Sequence, residues 1–362
     1  MPETRSTHPY FYYDAVIAQP VLIERVLDRE RHTIELAAHS AAAKKRVCFV
    51  GIGTSLHAAR VAEHFLRRLT KGRAEARAEQ SFEFVHYPLA LSAEDAVVII
   101  THTGTTNCSI KALDMARAAG ALTVAITGEG SSKDIHSADY VITTCAQEVC
   151  FAYTKSYSTA LAALALFAIG VAERRGIHTQ AARVELERLP GFLRQALPSE
   201  SRVREIAKQA ASHERLVLFG AGPNWATACE GALKIKETSY IAAEGSENEE
   251  VLHGPFSEID SRTTLVALLG GSSADERARA VLRAAGEVNA LRAAFTVPSA
   301  NHEVTAEYIV EIPAVEEWLS PAVLLVPVQL LTYFIALERG INPDTGRQDQ
   351  SSHARAHALY KL

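Results

Sequence analysis

The stretch Phe49-Val-Gly-Ile-Gly-Thr-Ser55 decides the fold, because its apolar run ends in a turn of small residues and the pattern returns 169 positions later. The second copy is Leu218-Phe-Gly-Ala-Gly-Pro-Asn224. Two further landmarks keep nearly the same spacing: Ala96–Thr101 returns at Thr263–Leu268, an offset of 167, and Ala138–Val141 returns at Ala306–Ile309, an offset of 168. Three matches in order at one spacing predict a duplicated chain.

Each copy has the pattern of an α/β unit. Short runs rich in valine and isoleucine, without polar alternation, are typical of strands buried on both faces, and they alternate with helical segments such as Ser109–Ala119. We therefore predict an α/β fold with two tandem doubly wound parallel-sheet domains of the flavodoxin-like kind. In such sheets ligands bind at the carboxyl ends of the strands.

The duplication and the helical patterns predict the domain boundaries. We expect an N-terminal segment (1–29), a first domain (30–175), a linker (176–200), a second domain (201–340) and a C-terminal arm (341–362). A long helix is expected over about 154–175, the linker is expected to be partly helical, and the arm is expected to leave regular structure after Gly340.

The composition is that of a globular protein, with 48% hydrophobic and 22% charged residues in 362. The net charge of -5 comes from interleaved residues of both signs without a basic block, which argues against a nucleic-acid partner. The segment Met1–Tyr13 lacks the apolar core of a signal peptide, and no uninterrupted run of 18 apolar residues follows it. We therefore expect no membrane partner and a cytoplasmic location.

The chain offers no pattern typical of a metal, a redox cofactor or a nucleotide. The cysteines are odd in number and widely spaced, with no Cys-x-x-Cys pair, so we expect buried free thiols at Cys48, Cys108, Cys145, Cys150 and Cys229. The Gly51-Ile-Gly53 turn has Leu56 where a dinucleotide-binding loop has its third glycine, and no Lys-Ser/Thr pair completes a nucleotide phosphate loop. No metal and no cofactor are expected.

Hydroxyl groups cluster where two neighbouring strands are expected to end. The run Ala96–Thr101 continues into Thr101-His-Thr-Gly-Thr-Thr106, and a helix is expected to begin near Asn107. Thr54 and Ser55 supply a second set after the first strand. Such residues often do no more than cap a helix. Two hydroxyl-rich turns on adjacent strands instead favour a site for a phosphate dianion, which a helix N-terminus stabilises.

The segment Glu230-Gly-Ala-Leu-Lys-Ile-Lys-Glu237 is the most specific motif of the second copy. Glu230, Lys234 and Glu237 recur at intervals of four and three, which places them on one face of a helix. An exposed salt-bridged face is the alternative, but apolar flanking residues favour partial burial. Glu237 is a candidate base, and His253, a residue type that exchanges protons near pH 7, is a second candidate for proton transfer.

These motifs together resemble the sugar isomerase (SIS) domain family over nearly the whole chain. The similar proteins include the isomerase half of glutamine:fructose-6-phosphate aminotransferase, stand-alone phosphosugar isomerases and glucosamine-6-phosphate deaminases. The motifs in the family's order and spacing are Gly53-Thr-Ser55, Ser81-Phe-Glu-Phe84, Thr101–Thr106, Glu148-Val-Cys-Phe-Ala-Tyr-Thr-Lys155, Glu230–Glu237 and His253-Gly-Pro255.

The resemblance implies a role for each matching residue. Phosphate binding is implied for Ser55, Thr101, His102, Thr103 and Thr106. Substrate binding is implied for Gly53, Thr54, Ala152 and Tyr153. Catalytic roles are implied for Glu230, Lys234, Glu237 and His253, with Glu237 as the base that moves a proton between two sugar carbons and His253 as the group for sugar ring opening. Family members place this histidine in the partner subunit's site, so the resemblance implies a homodimer with shared active sites.

The chain departs from the family pattern in its phosphate loop and in its pocket. His102 stands where the family loop has a glutamine, and it would add charge if protonated. Tyr153 replaces a small residue, which predicts a narrower pocket.

The two ends of the chain also depart from the aminotransferase pattern. The chain begins Met-Pro-Glu without the nucleophilic cysteine of a glutaminase domain, so we expect no use of ammonia from glutamine. Asp344-Thr-Gly-Arg347 matches the start of the family's C-terminal motif, but Ser351 occupies the position of its imine-forming lysine, and Lys361 is the alternative.

Three functions follow as hypotheses. The first is an isomerase or deaminase that converts an amino-sugar 6-phosphate, most simply glucosamine 6-phosphate, to fructose 6-phosphate and ammonia. The second is a deglycase of phosphorylated fructosamine, a sugar phosphate joined to an amino acid, which Tyr153 and the acidic stretch Glu244–Glu250 favour. The third is a sensor that binds a sugar phosphate without turnover.

Overall fold

The computed structural model describes residues 5–298 and 304–360. These residues form two units, and neither is continuous in sequence. The N-terminal unit comprises residues 19–148 and 155–190, and the C-terminal unit comprises residues 5–18 and 149–154 together with the described residues from 191 to 360.

The N-terminal unit is built on a five-stranded parallel sheet. Its strands are β1 (Arg46–Gly51), β2 (Glu75–Gln80), β3 (Asp95–Ile100), β4 (Leu122–Glu129) and β5 (Tyr140–Ala146). The helices from the start of the chain to the end of this unit are α1 (Phe11–Arg29), α2 (Arg31–Ala42), α3 (Thr54–Leu69), α4 (Ser81–His86), α5 (Asn107–Ala118), α6 (Lys155–Arg174) and α7 (Gln180–Ala196).

The C-terminal unit repeats this arrangement. Its strands are β6 (Arg215–Gly220), β7 (Ala242–Glu247), β8 (Thr263–Leu269), β9 (Leu291–Thr296) and β10 (Tyr308–Glu311). Its helices after α7 are α8 (Glu200–Ala210), α9 (Pro223–Ser239), α10 (Asp275–Glu287), α11 (Ser320–Glu338) and α12 (Ser351–His357).

The two sheets have the same strand order. The first runs β2-β1-β3-β4-β5 and the second β7-β6-β8-β9-β10, with every pair parallel. This is the doubly wound order of the flavodoxin-like fold. The predicted α/β fold with two tandem parallel-sheet domains is therefore confirmed.

The repeated turns let a helix begin directly over the strand that precedes it. A Cβ atom on Gly51 would clash with the backbone of Ser55, and one on Gly220 would lie 2.9 Å from the carbonyl oxygen of Asn224. Two residues later Gly53 and Gly222 have φ angles of 57° and 56°, which disfavour any residue with a Cβ. The small residues of the repeat therefore allow the same close approach of strand and helix in both units.

Strands β3 and β8 are buried along their whole length, because helices cover both faces of each sheet. The most apolar helices are α6, which packs on α2 and α3, and α11, which packs on α8 and α9. Two helical stretches, Lys155–Arg174 and Glu317–Glu338, have the length and composition of a membrane span. Both are almost entirely buried inside the described structure, as core helices are.

The predicted long helix corresponds to α6, and the predicted linker is largely the helix α7. The arm after Gly340 has no helix until α12 begins at Ser351.

All five cysteines are free thiols, as expected. The expectation that all are buried is wrong for Cys108 and Cys229, which are partly exposed. Cys108 lies in the first turn of α5, and Cys229 lies on the part of α9 that packs against β7, whose edge position leaves it incompletely covered.

Candidate functional site

The threonine loop, residues 101–106, joins β3 to α5 in the N-terminal unit. The next strand and the loop after it hold its backbone. Gly128 N–H donates to the carbonyl oxygen of His102 at 2.9 Å, and Ser132 N–H donates to that of Thr103 at 2.9 Å. The loop is therefore fixed before any ligand binds, which lowers the entropic cost of binding.

The threonine hydroxyls of this loop do not cap α5. Thr106 is the N-cap residue, yet its side chain makes no capping hydrogen bond. The hydroxyls of Thr103 and Thr105 lie 2.7 Å apart, and Thr105 N–H donates to the Thr103 hydroxyl at 3.3 Å. Thr101 is buried at the start of the loop. Thr106 thus stands at the positive end of the α5 dipole, where an anion is stabilised.

His102 adds no positive charge to this loop at neutral pH. Burial, and then the nearby ammonium of Lys155, lower the pKa of His102 from 6.5 to about 4. The ring packs on strand β4, so that a Cβ on Gly128 would lie 2.6 Å from its Nδ1 atom. In its charge the neutral imidazole of His102 therefore resembles the uncharged glutamine of the family loop and differs from a cation.

The turn after β1 lies beside the threonine loop. Strands β1 and β3 are neighbours in parallel register, so their carboxyl ends meet at one edge of the sheet. Gly53 precedes α3, and Thr54 and Ser55 form its first turn with partly exposed side chains. The structure thus brings the two predicted hydroxyl sets to the same edge.

The segment 148–156 contains Ala152 and Tyr153, two further residues predicted to bind the substrate. In the N-terminal unit Glu148 accepts hydrogen bonds from the backbone N–H of Ser156 at 2.8 Å and from its hydroxyl at 2.7 Å, which fixes the start of α6. Ala152 and Tyr153 belong to the C-terminal unit, where Ala152 is buried and Tyr153 is partly exposed.

Helix α9 in the C-terminal unit carries the predicted charged row. Lys234 Nζ lies 2.6 Å from Oε2 of Glu237 and 3.5 Å from Oε1 of Glu230. The side chains of Glu230 and Lys234 are 0% and 1% exposed, whereas that of Glu237 is 21% exposed. The alternative of an exposed salt-bridged face is therefore wrong.

The burial of this row follows from the position of α9, which packs on β6, β7 and α11. Of the three charged side chains, only Glu237 reaches solvent and can touch a substrate. Glu230 and Lys234 lie behind it, and a charge inside a protein is retained when it is paired in this way. Their chemical effect would pass through Glu237.

His253 follows β7 and is 66% exposed. Its Nε2 atom lies 3.2 Å from Oε1 of Glu249, and Arg277 on α10 donates to both oxygens of that carboxylate. Sequence reasoning missed Glu249 and Arg277. The four-residue spacing between Glu249 and His253 was available as a signal, but Arg277 lies 28 residues from Glu249 and only the fold brings it there.

The C-terminal motif has a structural role at the start of α1. The carboxylate of Asp344 accepts hydrogen bonds from the N–H groups of Phe11 at 2.9 Å and Tyr12 at 2.8 Å. Ser351 begins α12, and Lys361 lies outside the described residues. Within the described residues no three His, Cys, Asp or Glu side chains form a group able to hold a metal ion.

Comparison with known proteins identifies related domains in both halves. The profile of the SIS domain matches residues 41–170 and 210–339. A glutamine–fructose-6-phosphate aminotransferase (isomerizing) from Thermococcus kodakarensis is 30% identical over 350 residues, which is 95% of this chain and 58% of that protein. The chain thus spans somewhat more than half the length of this curated relative.

Solved structures share the fold. The C-terminal domain of an aminotransferase of the same kind from Francisella tularensis has a TM-score of 0.83 at 22% identity, covering 93% of this chain and 98% of that one. A glucosamine-6-phosphate deaminase from Thermotoga maritima has a TM-score of 0.74 at 21% identity, covering 92% and 97%. At these identities the likeness establishes the architecture.

Proposed function

The chain belongs to the SIS domain family, and on that premise we propose that it is a phosphosugar isomerase or deaminase acting on an amino-sugar 6-phosphate. The observation that carries the proposal is the charged row of α9. There the partly exposed Glu237 is backed by the buried Lys234 and Glu230. A carboxylate held in this way meets the need for a positioned base.

In the proposed reaction the two hydroxyl sets bind the phosphate. Thr103, Thr106 and Ser55 supply hydroxyls, and α5 supplies its N-terminal backbone N–H groups. Thr101 and the neutral His102 shape the loop, and Gly53 and Thr54 form the turn beside it. Holding the phosphate fixes the sugar chain, so binding energy is used to orient the reacting carbons.

The chemistry on the sugar carbons has three steps. His253 takes the proton of the anomeric hydroxyl and returns a proton to the ring oxygen as the ring bond breaks. Glu237 then removes the C2 proton of the open-chain amino aldehyde, which gives an enolamine whose C1 oxygen takes up a proton. As the amine nitrogen releases a proton, Glu237 delivers its proton to C1, which leaves a hydroxyl on C1 and an imine at C2. Water adds to this imine and ammonia departs, giving the ketose 6-phosphate.

The substrate already carries its nitrogen, so this sequence needs no imine-forming lysine. This agrees with the sequence, in which Ser351 occupies the position of the imine-forming lysine of the family's C-terminal motif.

A second candidate substrate is a 6-phosphorylated fructosamine adduct, in which an amino acid takes the place of ammonia. Within the acidic stretch, Glu244 and Glu250 are exposed, and their carboxylates would favour a ligand that carries an ammonium group. The partly exposed Tyr153 would contact the added group.

We also propose a cytoplasmic homodimer in which His253 acts in the partner subunit's site. The exposure of the His253 ring supports this assignment, because a ring that reaches another subunit has to project from its own chain. Light scattering of the purified protein tests the dimer, and a monomer at all concentrations would contradict it.

A two-stage experiment tests the function. A thermal-shift screen of hexose, hexosamine and fructosamine 6-phosphates identifies the ligand, since a compound at a hundred times its Kd adds about 2.7 kcal/mol of stability. Coupled assays then measure release of ammonia and of amino acid from the compounds that bind.

The proposal expects one of these products from wild type and at least about a hundredfold less from Glu237→Gln. Binding without release of either product at millimolar substrate would contradict it and favour the sensor.

A further inference from the structure

Contacts of the residues before His253 hold the backbone of its loop in place. Glu247 Oε2 accepts a hydrogen bond from Glu249 N–H at 2.7 Å, and Asn248 Nδ2 donates to the carbonyl oxygen of Ala274 at 3.1 Å. Val251 is buried in the core of the C-terminal unit. These contacts tie the backbone before His253 to the start of α10 and to the core.

The carboxylate of Glu249 lies between His253 and Arg277. Oε1 of Glu249 is 3.2 Å from Nε2 of His253, and Nη2 of Arg277 donates to the same Oε1 at 2.5 Å. Nε of Arg277 donates to Oε2, so the arginine holds both oxygens. The three side chains form a hydrogen-bonded chain, here called the relay, which runs from Arg277 on α10 through Glu249 to the imidazole of His253.

The protonation of Glu249 determines which nitrogen of His253 carries hydrogen. The hydrogen bonds from Arg277, and then the one from His253, lower the pKa of Glu249 from 4.5 to about 2. At neutral pH its carboxylate can therefore only accept. The contact with Nε2 requires a proton on Nε2, which leaves Nδ1 as the nitrogen that exchanges a proton with a ligand.

We infer that Glu249, held by Arg277, is a positioning residue that fixes the tautomer and orientation of His253 for sugar ring opening. The inference rests on the proposed role of His253. In the reaction Nδ1 accepts the proton of the anomeric hydroxyl, the bond between C1 and the ring oxygen breaks, and Nδ1 returns the proton to that oxygen. Nε2 keeps its proton throughout, and Glu249 stabilises the imidazolium that forms in between.

Nitrogen-15 NMR of the ring tests the inference without any substrate, with the His253 signals assigned by their loss in His253→Asn. Wild type is expected to show a single neutral tautomer with the proton on Nε2, and Glu249→Ala a mixture. A mixture in wild type, or an unchanged spectrum in Glu249→Ala, would overturn the inference even if turnover is found.

Kinetics test the consequence on whichever compound the assays above identify. Glu249→Ala is expected to lower kcat about tenfold or more with little change in KM, because it perturbs a proton transfer and no binding contact. Glu249→Gln, whose amide oxygen still accepts from Nε2–H, is expected to recover part of the loss. Arg277→Ala should have a smaller effect of the same kind.

The matched control is Arg283→Ala, which removes an exposed guanidinium of the same helix α10 that pairs with Glu276. It is expected to leave kcat within about twofold of wild type. A fall in kcat as large as that of Glu249→Ala would contradict a specific role for the relay. Absence of turnover in wild type would instead count against the proposed function and leave the NMR result to decide the relay.

Discussion

Nζ of Lys234 lies 2.6 Å from Oε2 of Glu237, three residues further along the same helix. The ammonium is 1% exposed and the carboxylate 21%, so the pair joins a buried cation to a solvent-facing base. Because Glu230 lies behind the same ammonium at 3.5 Å, the position of Glu237 depends on charges inside the core.

Replacing Lys234 with methionine is expected to destabilise the protein by about 3–5 kcal/mol, because the buried carboxylate of Glu230 then loses the ammonium beside it. Denaturant unfolding measures the loss. Lys236→Met is the control on the same helix, where the side chain is exposed, and it should change stability by less than about 0.5 kcal/mol. Adding Glu230→Gln to Lys234→Met should recover part of the loss. Equal stabilities of the two lysine variants would contradict the buried row.

Thr103→Val is expected to weaken binding of the sugar phosphate roughly 10- to 100-fold, since the hydroxyl is replaced by a methyl group of similar size and a hydrogen bond to a charged ligand is lost. Titration calorimetry gives the two affinities. Thr33→Val, the same exchange on α2, serves as the control and should leave affinity unchanged. If Thr103→Val binds as tightly as wild type, the threonine loop is not the phosphate site.

Stability should fall as the pH is lowered from about 6.5 to about 4, because His102 stays neutral in the folded protein while the unfolded chain takes up a proton there. Above about pH 6.5 His102 is neutral in both the folded and the unfolded chain. Proton uptake by the unfolded chain then no longer lowers the free energy of unfolding. His102→Gln removes the titrating group and should flatten this part of the profile. Denaturant unfolding at several pH values measures it.

A His102→Gln profile as steep as that of wild type would show that His102 is not the group responsible.

Gly128→Ala is expected to strain the threonine loop, because the added Cβ would lie 2.6 Å from Nδ1 of His102 and 2.8 Å from Nε2 of Gln147. Overpacking of this kind costs about 1–3 kcal/mol. Gly191→Ala on α7 is the control, since nothing lies within 4 Å of its added Cβ, and it should be neutral or stabilising. Thermal melting compares the two, and equal melting temperatures would contradict the packing of His102 on β4.

The fold could be predicted from the sequence because a parallel strand buried on both faces is a continuous apolar run in the sequence. The duplication means that this pattern occurs in both halves of the chain. The spacing of Glu230, Lys234 and Glu237 likewise placed them on one helical face. Their degree of burial could be predicted only in part, because it depends on α11, which comes about a hundred residues later in the chain.

Other features of the site depend on contacts that no local pattern contains. The charge of His102 could not be predicted, because its pKa is set by burial against β4 and by Lys155. The partial exposure of Cys229 reflects the edge position of β7 in the sheet. The relay of His253, Glu249 and Arg277 joins a loop to a helix that follows another strand, so only tertiary structure reveals it.

The most direct test of the central claim is the fate of deuterium placed at C2 of the amino-sugar 6-phosphate that the protein binds, followed by NMR. If Glu237 moves the proton between C2 and C1, wild type releases the label to water or transfers it to C1 as product forms, and Glu237→Gln leaves it at C2. Deuterium that stays at C2 while wild type consumes the substrate, or that leaves C2 equally fast in Glu237→Gln, would contradict the account.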